Sequence, residues 1–323
     1  MPLGYGAISA LYYRWKARDG EISVHAAAPA PPRRRLARAA NLSACAILIV
    51  GGALTAFGVY TGRINPNIEY MHTTEVTAHR GASANYPENT MAAFRGAVEL
   101  GADWIELDVQ QSADGEIFVM HDANLRRTTS VDAYSWELTY ADIRALDAGS
   151  SFGEEFAGEP VPLLSEAIDF ARESGVRLNI ELKPNGHEID FEERVVALIL
   201  DADFAESCVV TSQVYSVLER VKEISDEITT VYVMSFAYGN VNRLEAADHF
   251  SIEASSVTRR LVSRVHNAGK QLYVWTVNSP RRMDAMIDLN VDNIITDRVP
   301  LAKERVYNNK YSTLVDAFVK ALR

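Results

Sequence analysis

The chain has 323 residues, of which 48% are apolar, and a formal net charge of −11 at pH 7. The length suits one large domain with an appendage, and the apolar fraction is sufficient for a substantial core. The acidic balance excludes a general nucleic-acid binder, because such a protein needs a basic excess to neutralise the phosphate backbone. The two cysteines, Cys45 and Cys208, lie in an apolar run and a strand-like run, so a disulfide between them is not expected.

An uncharged apolar run from Leu42 to Tyr60 predicts a membrane-spanning helix. The leader ahead of it, residues 1–41, is too long for an ordinary secretory signal, although an uncleaved signal anchor also fits. Arginines at positions 33, 34, 35 and 38 precede the run, whereas Arg63 is the only nearby cation after it. The positive-inside rule therefore predicts a cytoplasmic N-terminus and an extracytoplasmic C-terminal part.

The leader, residues 1–41, contains no pattern typical of a domain. Tyr12, Tyr13 and Trp15 lie beside basic residues, as in a membrane interface, so the leader is either disordered or the end of a larger membrane domain. In the second case the chain is a shortened version of a longer membrane protein. Residues 61–74 are interpreted as a stalk, and helical spacing of apolar residues predicts a C-terminal helix over 308–323.

From residue 75 to 307, strand-like runs alternate with helix-period runs, which is typical of repeated β/α units around a parallel sheet. The predicted strands are Val76–His79, Trp104–Val109, Arg177–Lys183, Cys208–Thr211, Thr229–Met234, His249–Ala254, Gln271–Val277 and Asn293–Thr296. The predicted helices are Asn89–Leu100, Leu164–Ser174, Phe191–Leu200, Val214–Ile224, Val241–Ala247, Val257–Ala268 and Arg281–Leu289. Eight strands over this length favour a (β/α)8 barrel over an open doubly wound sheet.

An extra strand, Glu116–His121, follows the second barrel strand through Asp114-Gly115, a hairpin turn signal. It should run antiparallel, and a two-residue turn would place His121 opposite Asp108. The polar, aromatic and glycine-containing residues from about 122 to 163 are predicted to be an insertion that caps one end of the barrel.

Carboxylates are concentrated on the inner face of two predicted strands. Side chains alternate along a strand, so Glu106 and Asp108 point to one side, and Glu181 and Lys183 share one face of the third strand. Three inward carboxylates raise each other's pKa unless a partner neutralises them. Oxygen ligands suit magnesium or calcium rather than zinc, so this pattern favours a site for Mg²⁺ or Ca²⁺.

The alternative is a structural salt-bridge network between these acids and barrel lysines or arginines. The neighbouring residues favour the metal site, because His79 and Arg80 end the first strand, at the barrel face where active sites lie. Arg80 offers a fork of donors suited to a phosphate oxygen, and Lys183 could add a second positive group.

Six short motifs occur in one order along this region: His79-Arg80-Gly81, Pro87-Glu88-Asn89-Thr90, Glu106-Leu107-Asp108-Val109, His121-Asp122, Glu181-Leu182-Lys183-Pro184 and Trp275-Thr276-Val277-Asn278. Together they resemble the motifs of the glycerophosphodiester phosphodiesterase family, over Val76 to about Val306. The resemblance implies a (β/α)8 barrel with a small insertion after the second strand. It also implies cleavage of glycerophosphodiesters to glycerol 3-phosphate and an alcohol.

The resemblance assigns metal ligation to Glu106, Asp108 and Glu181, and acid–base catalysis to His79 and His121. Two imidazoles can divide this work near neutral pH, one taking a proton from the attacking oxygen and the other giving one to the leaving alkoxide. Which histidine plays which part does not follow from the sequence.

The remaining roles also come from the resemblance. Glu88, with Asn89 beside it, corresponds to a support of the metal site. Arg80 and Lys183 look like the pair that holds the phosphate, and Trp275 is similar to a residue bordering the glycerol.

Two other functions fit the same residues. One is a lysophospholipase D or sphingomyelinase-like activity on the same barrel, which membrane tethering would favour and which would need an apolar groove at the barrel mouth. The other is a non-catalytic, membrane-attached binding module, which the presence of both histidines and all three carboxylates disfavours.

Overall fold

The computed structural model describes residues 74–236 and 243–309, and within them a closed barrel of eight parallel strands confirms the predicted fold. The strands are β1 Glu75–Ala78, β2 Trp104–Gln111, β3 Ile117–Val119, β4 Arg177–Leu182, β5 Cys208–Ser212, β6 Thr230–Met234, β7 His249–Glu253, β8 Leu272–Trp275 and β9 Asn293–Thr296. β3 is antiparallel and lies outside the barrel, whose closure comes from the pairing of β1 with both β2 and β9.

Most of the helices connect successive strands of the barrel, two short ones lie in the insertion, and the last one follows β9. They are α1 Met91–Glu99, α2 Arg126–Thr129, α3 Tyr140–Arg144, α4 Leu164–Ser174, α5 Phe191–Asp201, α6 Tyr215–Ile224, α7 Arg259–Asn267, α8 Pro280–Asp288 and α9 over 299–309. Two of them begin later than predicted because a threonine caps the helix: Thr90 accepts from the Ala93 amide, and Thr258 from that of Leu261.

The main hydrophobic core lies between the strands and the outer helices. The outward residues of β2, Ile105, Leu107 and Val109, are fully buried, as is Ile180 on β4. Their polar neighbours on the same strands point into the barrel. The alternation in the sequence therefore separates a dry outer layer, which stabilises the fold, from a polar interior.

The hairpin between β2 and β3 differs from the prediction by one residue. Val109 pairs with Val119, so Met120 and not His121 lies opposite Asp108. The turn has three residues rather than two, because the Ser112 amide donates to the Glu116 carbonyl (3.0 Å) and the Ser112 hydroxyl accepts from the Glu116 amide (3.0 Å). His121 follows the end of β3, so its direction is set by its side-chain partners rather than by the ladder.

The predicted insertion, about 122–163, has a small hydrophobic core of its own. Its members include Met120, Leu125 and Ile143, and it meets the barrel through Phe118, which bridges to Leu163. Because β2 continues past its last pairing with β4 to reach β3, the insertion lies at the carboxyl end of the barrel.

The predicted helix Val241–Ala247 is wrong over its described residues, 243–247, where the structure has no α-helix. Side chains from two other parts of the chain bind carbonyls of this segment. Thr230 Oγ1 donates to the carbonyl of Ala246 (2.7 Å), and the Lys270 ammonium donates to that of Leu244 (3.1 Å).

Several predictions fall outside the described residues. The leader, the predicted membrane span from Leu42 to Tyr60 and nearly all of the stalk lie in 1–73, and most of the predicted C-terminal helix lies in 310–323. Among the described residues, no helix is both long enough and apolar enough to cross a bilayer.

Replacing a buried outward residue should destabilise the barrel strongly. We expect Ile180→Ala to lower the free energy of unfolding by about 2–5 kcal/mol, because it leaves a cavity between β4 and the helices. The matched control is Ile189→Ala, at a side chain that is 69% exposed, for which a change within about 0.5 kcal/mol is expected. Urea unfolding followed by circular dichroism measures both, and equal losses would contradict this account of the core.

Candidate active site

A cavity of about 110 Å³ opens at the carboxyl ends of the barrel strands and contains most of the predicted site residues. Its lining includes His79, Arg80, Glu106, Asp108, His121, Glu181, Lys183 and Trp275. These residues come from strands that are distant in sequence and adjacent in the barrel. Glu88 and Asn89 lie behind this lining, where they contact Arg80 and Asp108.

The three predicted metal ligands converge in this cavity. Asp108 and Glu181 are register partners on β2 and β4, and ligand oxygens of Glu106, Asp108 and Glu181 all lie within 4.8 Å of one another. Burial raises the pKa of Glu106 to about 8, and the charge of Asp108 adds to the shift. Burial and Asp108 likewise raise the pKa of Glu181. Such a crowded, buried set of carboxylates fits a hard divalent cation.

Two cations accompany the carboxylates and pair with them, and Arg80 Nε lies 3.6 Å from Asp108 Oδ2. Lys183 Nζ lies 3.3 Å from Glu181 and 3.6 Å from Asp108, and Arg80 Nη1 donates to Glu88 at 2.9 Å. Arg80 Nε is buried and has no hydrogen-bond partner among the described residues. The two cations therefore retain donor capacity that faces the cavity.

The backbone after β1 is shaped to bring Arg80 into the site. Arg80 has φ +57° and Gly81 φ +79°, both in the left-handed region. The Arg80 amide donates to Glu106 at 2.7 Å. A Cβ on Gly81 would lie 2.7 Å from the Ala93 side chain and 2.8 Å from its backbone, so glycine is required there for both its φ and its close packing.

Asn89 holds one of the carboxylates in place. Its side-chain amide donates to Asp108 Oδ2 at 2.9 Å, and its side-chain oxygen accepts from the Asp108 amide at 3.3 Å. Asn89 also has a positive φ of +57°. The predicted supporting role of Asn89 thus has a geometric basis, because these two bonds fix Asp108 relative to the loop before α1.

His79 is oriented by a carboxylate that the sequence analysis did not identify. Its Nδ1 lies 2.7 Å from Asp297 Oδ1, and Asp297 is itself held by Asn278. Burial would lower the pKa of His79, but the hydrogen bond with Asp297 and the charge of Glu106 outweigh it and raise the pKa. With Nδ1 occupied by Asp297, Nε2 is the nitrogen that remains for chemistry in the cavity.

His121 has an equivalent partner, Asp122, whose Oδ1 lies 2.6 Å from Nδ1. On its other side, His121 Nε2 lies 3.2 Å from Lys183 Nζ. A lysine ammonium can only donate, so Nε2 accepts and Nδ1 carries the proton that is donated to Asp122. Both histidines are therefore held by carboxylates at Nδ1.

Trp275 ends β8 and lines the cavity. Its indole Nε1 is buried with no hydrogen-bond partner among the described residues, and so are Asn179 Oδ1 and Ser251 Oγ, two further lining atoms. Buried polar atoms are normally satisfied. These three atoms therefore mark places where a polar ligand or water would complete the hydrogen bonding.

Sequence reasoning missed Asp297, Arg127 and the role of Asp122. Asp297 lies beside His79 because Ala78 pairs with Thr296, a register that the sequence alone does not give. Arg127, which donates to Glu88 and Asp122, lies in the irregular insertion, where no periodicity places a side chain.

Comparisons with known proteins agree with this geometry. The profile of the Glycerophosphoryl diester phosphodiesterase family matches residues 79–301. A glycerophosphodiester phosphodiesterase from Caldanaerobacter subterraneus is 38% identical over 232 residues, which is 69% of this chain and 94% of that protein. One from Bacillus altitudinis is 35% identical over 231 residues, covering 69% of this chain and 94% of the relative.

Solved structures show the same similarity. A phosphodiesterase from Oleispira antarctica, solved in complex with the product sn-glycerol-3-phosphate, is 29% identical with a TM-score of 0.66 over 74% of this chain and 98% of that one. A glycerophosphodiester phosphodiesterase from Agrobacterium tumefaciens is 29% identical with a TM-score of 0.65, covering 71% of this chain and 98% of that one.

Removing the charge of Asp297 should lower the pKa of His79. The carboxylate favours the protonated imidazole, whereas burial disfavours it, so Asp297→Asn removes the main raising effect and leaves the lowering one. NMR titration of the imidazole protons in EDTA-treated protein measures the change. Asp122→Asn, which alters the partner of His121, is the matched control and should leave the pKa of His79 unchanged; an unchanged value in Asp297→Asn would refute the assignment.

Proposed function

This chain belongs to the glycerophosphoryl diester phosphodiesterase family, and we propose that it hydrolyses small glycerophosphodiesters to glycerol 3-phosphate and an alcohol. The observation that carries the proposal is the meeting of three carboxylates, two carboxylate-bound histidines and two cations in one cavity. The Oleispira antarctica relative, whose structure contains sn-glycerol-3-phosphate, supports this choice of product.

Glu106, Asp108 and Glu181 are proposed to hold one divalent cation, Mg²⁺ or Ca²⁺. Their oxygens are close enough to share one ion, and their burial leaves little water to separate their charges. When bound, such an ion polarises the phosphoryl oxygens as a Lewis acid. Glu88 and Asn89 support this arrangement through Arg80 and Asp108.

Arg80 and Lys183 are proposed to bind the phosphate. A phosphodiester carries one negative charge, and more charge accumulates on its oxygens as the bond to the leaving group breaks. The Arg80 guanidinium, whose Nε lies 3.6 Å from Asp108, and the Lys183 ammonium, which lies between Glu181 and His121, can donate to those oxygens. Trp275 is proposed to border the glycerol.

His79 and His121 are proposed to transfer the protons. Each imidazole is fixed at Nδ1 by an aspartate, so each presents Nε2 as the proton donor or acceptor. One takes the proton from the attacking oxygen and the other gives a proton to the departing alkoxide.

The proposed location is a membrane surface, with the barrel outside the cytoplasm and the chain anchored by residues 42–60. The support comes from the sequence alone: the uncharged apolar run and the arginines that precede it. At such a surface, the substrates would come from lipid or wall debris rather than from cytoplasmic metabolism.

A second candidate, lysophospholipase D-like activity, is favoured by one observation. Ile189, Val214 and Phe236 follow the neighbouring strands β4, β5 and β6, and their side chains are 69%, 43% and 61% exposed. The Ile189 backbone is held at both its amide and its carbonyl by the buried Gln111 (2.7 and 2.8 Å). These apolar side chains on the mouth of the barrel could contact an acyl chain too large for the cavity.

Activity should depend on a divalent cation. We expect the full chain to release glycerol 3-phosphate from glycerophosphocholine, EDTA to abolish the release, and Mg²⁺ or Ca²⁺ to restore it. Glu181→Gln should lower kcat/KM at least about 100-fold, because Lewis-acid stabilisation contributes several kcal/mol. Glu173→Gln, at an exposed position on α4, is the matched control. Activity indifferent to EDTA would overturn the metal site, and a metal-replete protein inactive on every glycerophosphodiester would support a binding module instead.

A direct comparison of kcat/KM distinguishes between the two candidate substrates. We expect glycerophosphocholine to be preferred over lysophosphatidylcholine by at least about tenfold in kcat/KM, because the cavity is lined mostly by charged and polar side chains, which suit a glycerol phosphate better than an acyl chain. Ile189→Ser should then change neither rate. If lysophosphatidylcholine is preferred and Ile189→Ser selectively slows its turnover, the lysophospholipase candidate is correct.

A further inference from the structure

We propose that Arg127 is a positioning residue that fixes Arg80 and His121 in one geometry, each through a carboxylate that it shares with them. The inference rests on the proposed function, because it concerns the same site. Arg127 is not among the residues lining the cavity, so it acts through Glu88 and Asp122 rather than by contact with substrate.

The guanidinium of Arg127 uses all three of its nitrogens. Nη1 and Nη2 donate to the two oxygens of Glu88 at 2.8 and 2.7 Å, and Nε donates to Asp122 Oδ2 at 2.5 Å. This planar fork sets the orientation of two carboxylates at once, which a lysine ammonium could not reproduce.

Each of the two carboxylates also forms a hydrogen bond with a residue that lines the cavity, and so orients that residue. Glu88 Oε1 also accepts from Arg80 Nη1 at 2.9 Å, and Asp122 Oδ1 lies 2.6 Å from His121 Nδ1. Arg80 and His121 are thus connected by an unbroken chain of hydrogen bonds with Arg127 at its centre. One end of the chain is proposed to hold the phosphate and the other to move a proton.

The chain also joins two parts of the fold. Glu88 lies in the loop between β1 and α1, whereas Asp122 and Arg127 belong to the insertion. The short helix α2, which carries Arg127, is anchored by the fully buried Leu125 and by a hydrogen bond from Thr129 Oγ1 to the Leu125 carbonyl (2.7 Å). The position of His121 relative to Arg80 therefore depends on this contact between insertion and barrel.

A purely structural role is the alternative, in which Arg127 only fastens the insertion. Arg127 is 47% exposed, and ion pairs in such positions contribute little to stability because water screens them. The neighbouring Arg126 provides a matched control. It is on the same helix, is 72% exposed and pairs with Asp132 at 3.4 Å, remote from the cavity residues.

The kinetic test compares Arg127→Met with Arg126→Met in the metal-loaded full chain, using glycerophosphocholine. We expect Arg127→Met to lower kcat about 10- to 100-fold with a smaller change in KM, since residues that orient a catalytic group have effects of that size. Arg127→Lys should recover little, because it restores the charge but not the fork. Arg126→Met should stay within about twofold of the unsubstituted chain, and melting temperatures should be similar for all variants. Equal kcat for the two methionine variants would overturn the proposal.

A double-mutant cycle tests the route through the carboxylates. In a chain that already carries Glu88→Ala and Asp122→Ala, Arg127→Met should cost less than about threefold in kcat, because the carboxylates through which it acts are gone. If Arg127→Met lowers kcat in that background as much as it does in the unsubstituted chain, Arg127 acts in another way.

NMR of protein labelled with ¹⁵N in arginine and histidine gives a readout that needs no turnover. Arg127→Met should shift both the Arg80 Nε–H and the His121 imidazole resonances, whereas Arg126→Met should shift neither. If the shifts appear in a protein that releases no glycerol 3-phosphate, the proposed function fails and the coupling remains. If Arg127→Met leaves both resonances in place, the coupling is wrong whatever the substrate is.

Discussion

The structure depends above all on the crowding of Glu106, Asp108 and Glu181 inside the barrel. Three buried carboxylates repel one another and lose hydration, which is why the pKa of Glu106 rises to about 8. The surrounding residues reduce this penalty only in part: the Arg80 amide binds Glu106, and Asn89 binds Asp108. What remains is an unfulfilled demand for positive charge at the centre of the cavity. The proposed divalent cation would supply that charge, so the unfavourable electrostatics of the three carboxylates are also the basis of the proposed chemistry.

Such a site requires rigid strands around it. The sequence provides them because apolar and polar residues alternate strictly along each of these strands. Ile105 and Leu107 are fully buried against the helices, while Glu106 and Asp108 face inward from the same strand. This alternation is also why the barrel and the carboxylates could be predicted from the sequence, since a period of two fixes which residues share a face. The inward direction of Glu181 follows in the same way, and the parallel register places it beside Asp108.

Other features could not be predicted, for reasons that are local and physical. The hairpin register shifted by one residue because the Ser112 side chain bonds the Glu116 amide and lengthens the turn. Residues 243–247 are not α-helical, and two of their carbonyls bind Thr230 and Lys270, which are distant in the sequence. Asp297 requires knowledge of which strands are adjacent after barrel closure, and Arg127 lies in an insertion with no regular pattern. In each case, the contact that determines the local structure joins residues whose proximity neither hydrophobic periodicity nor sequence spacing predicts.

The two histidines are held in place by different parts of the fold. His79 and Asp297 follow β1 and β9, whose pairing closes the barrel, so their contact is as rigid as the sheet itself. His121 follows β3, outside the barrel, and its contact with Asp122 depends on the packing of the insertion and on Arg127. Gln110 and Lys183 also bind His121 from the barrel side, so the position of His121 depends on both the insertion and the barrel. Under the proposed roles, the contact between Glu88 and Arg127 sets the geometry of proton transfer, although neither residue lines the cavity.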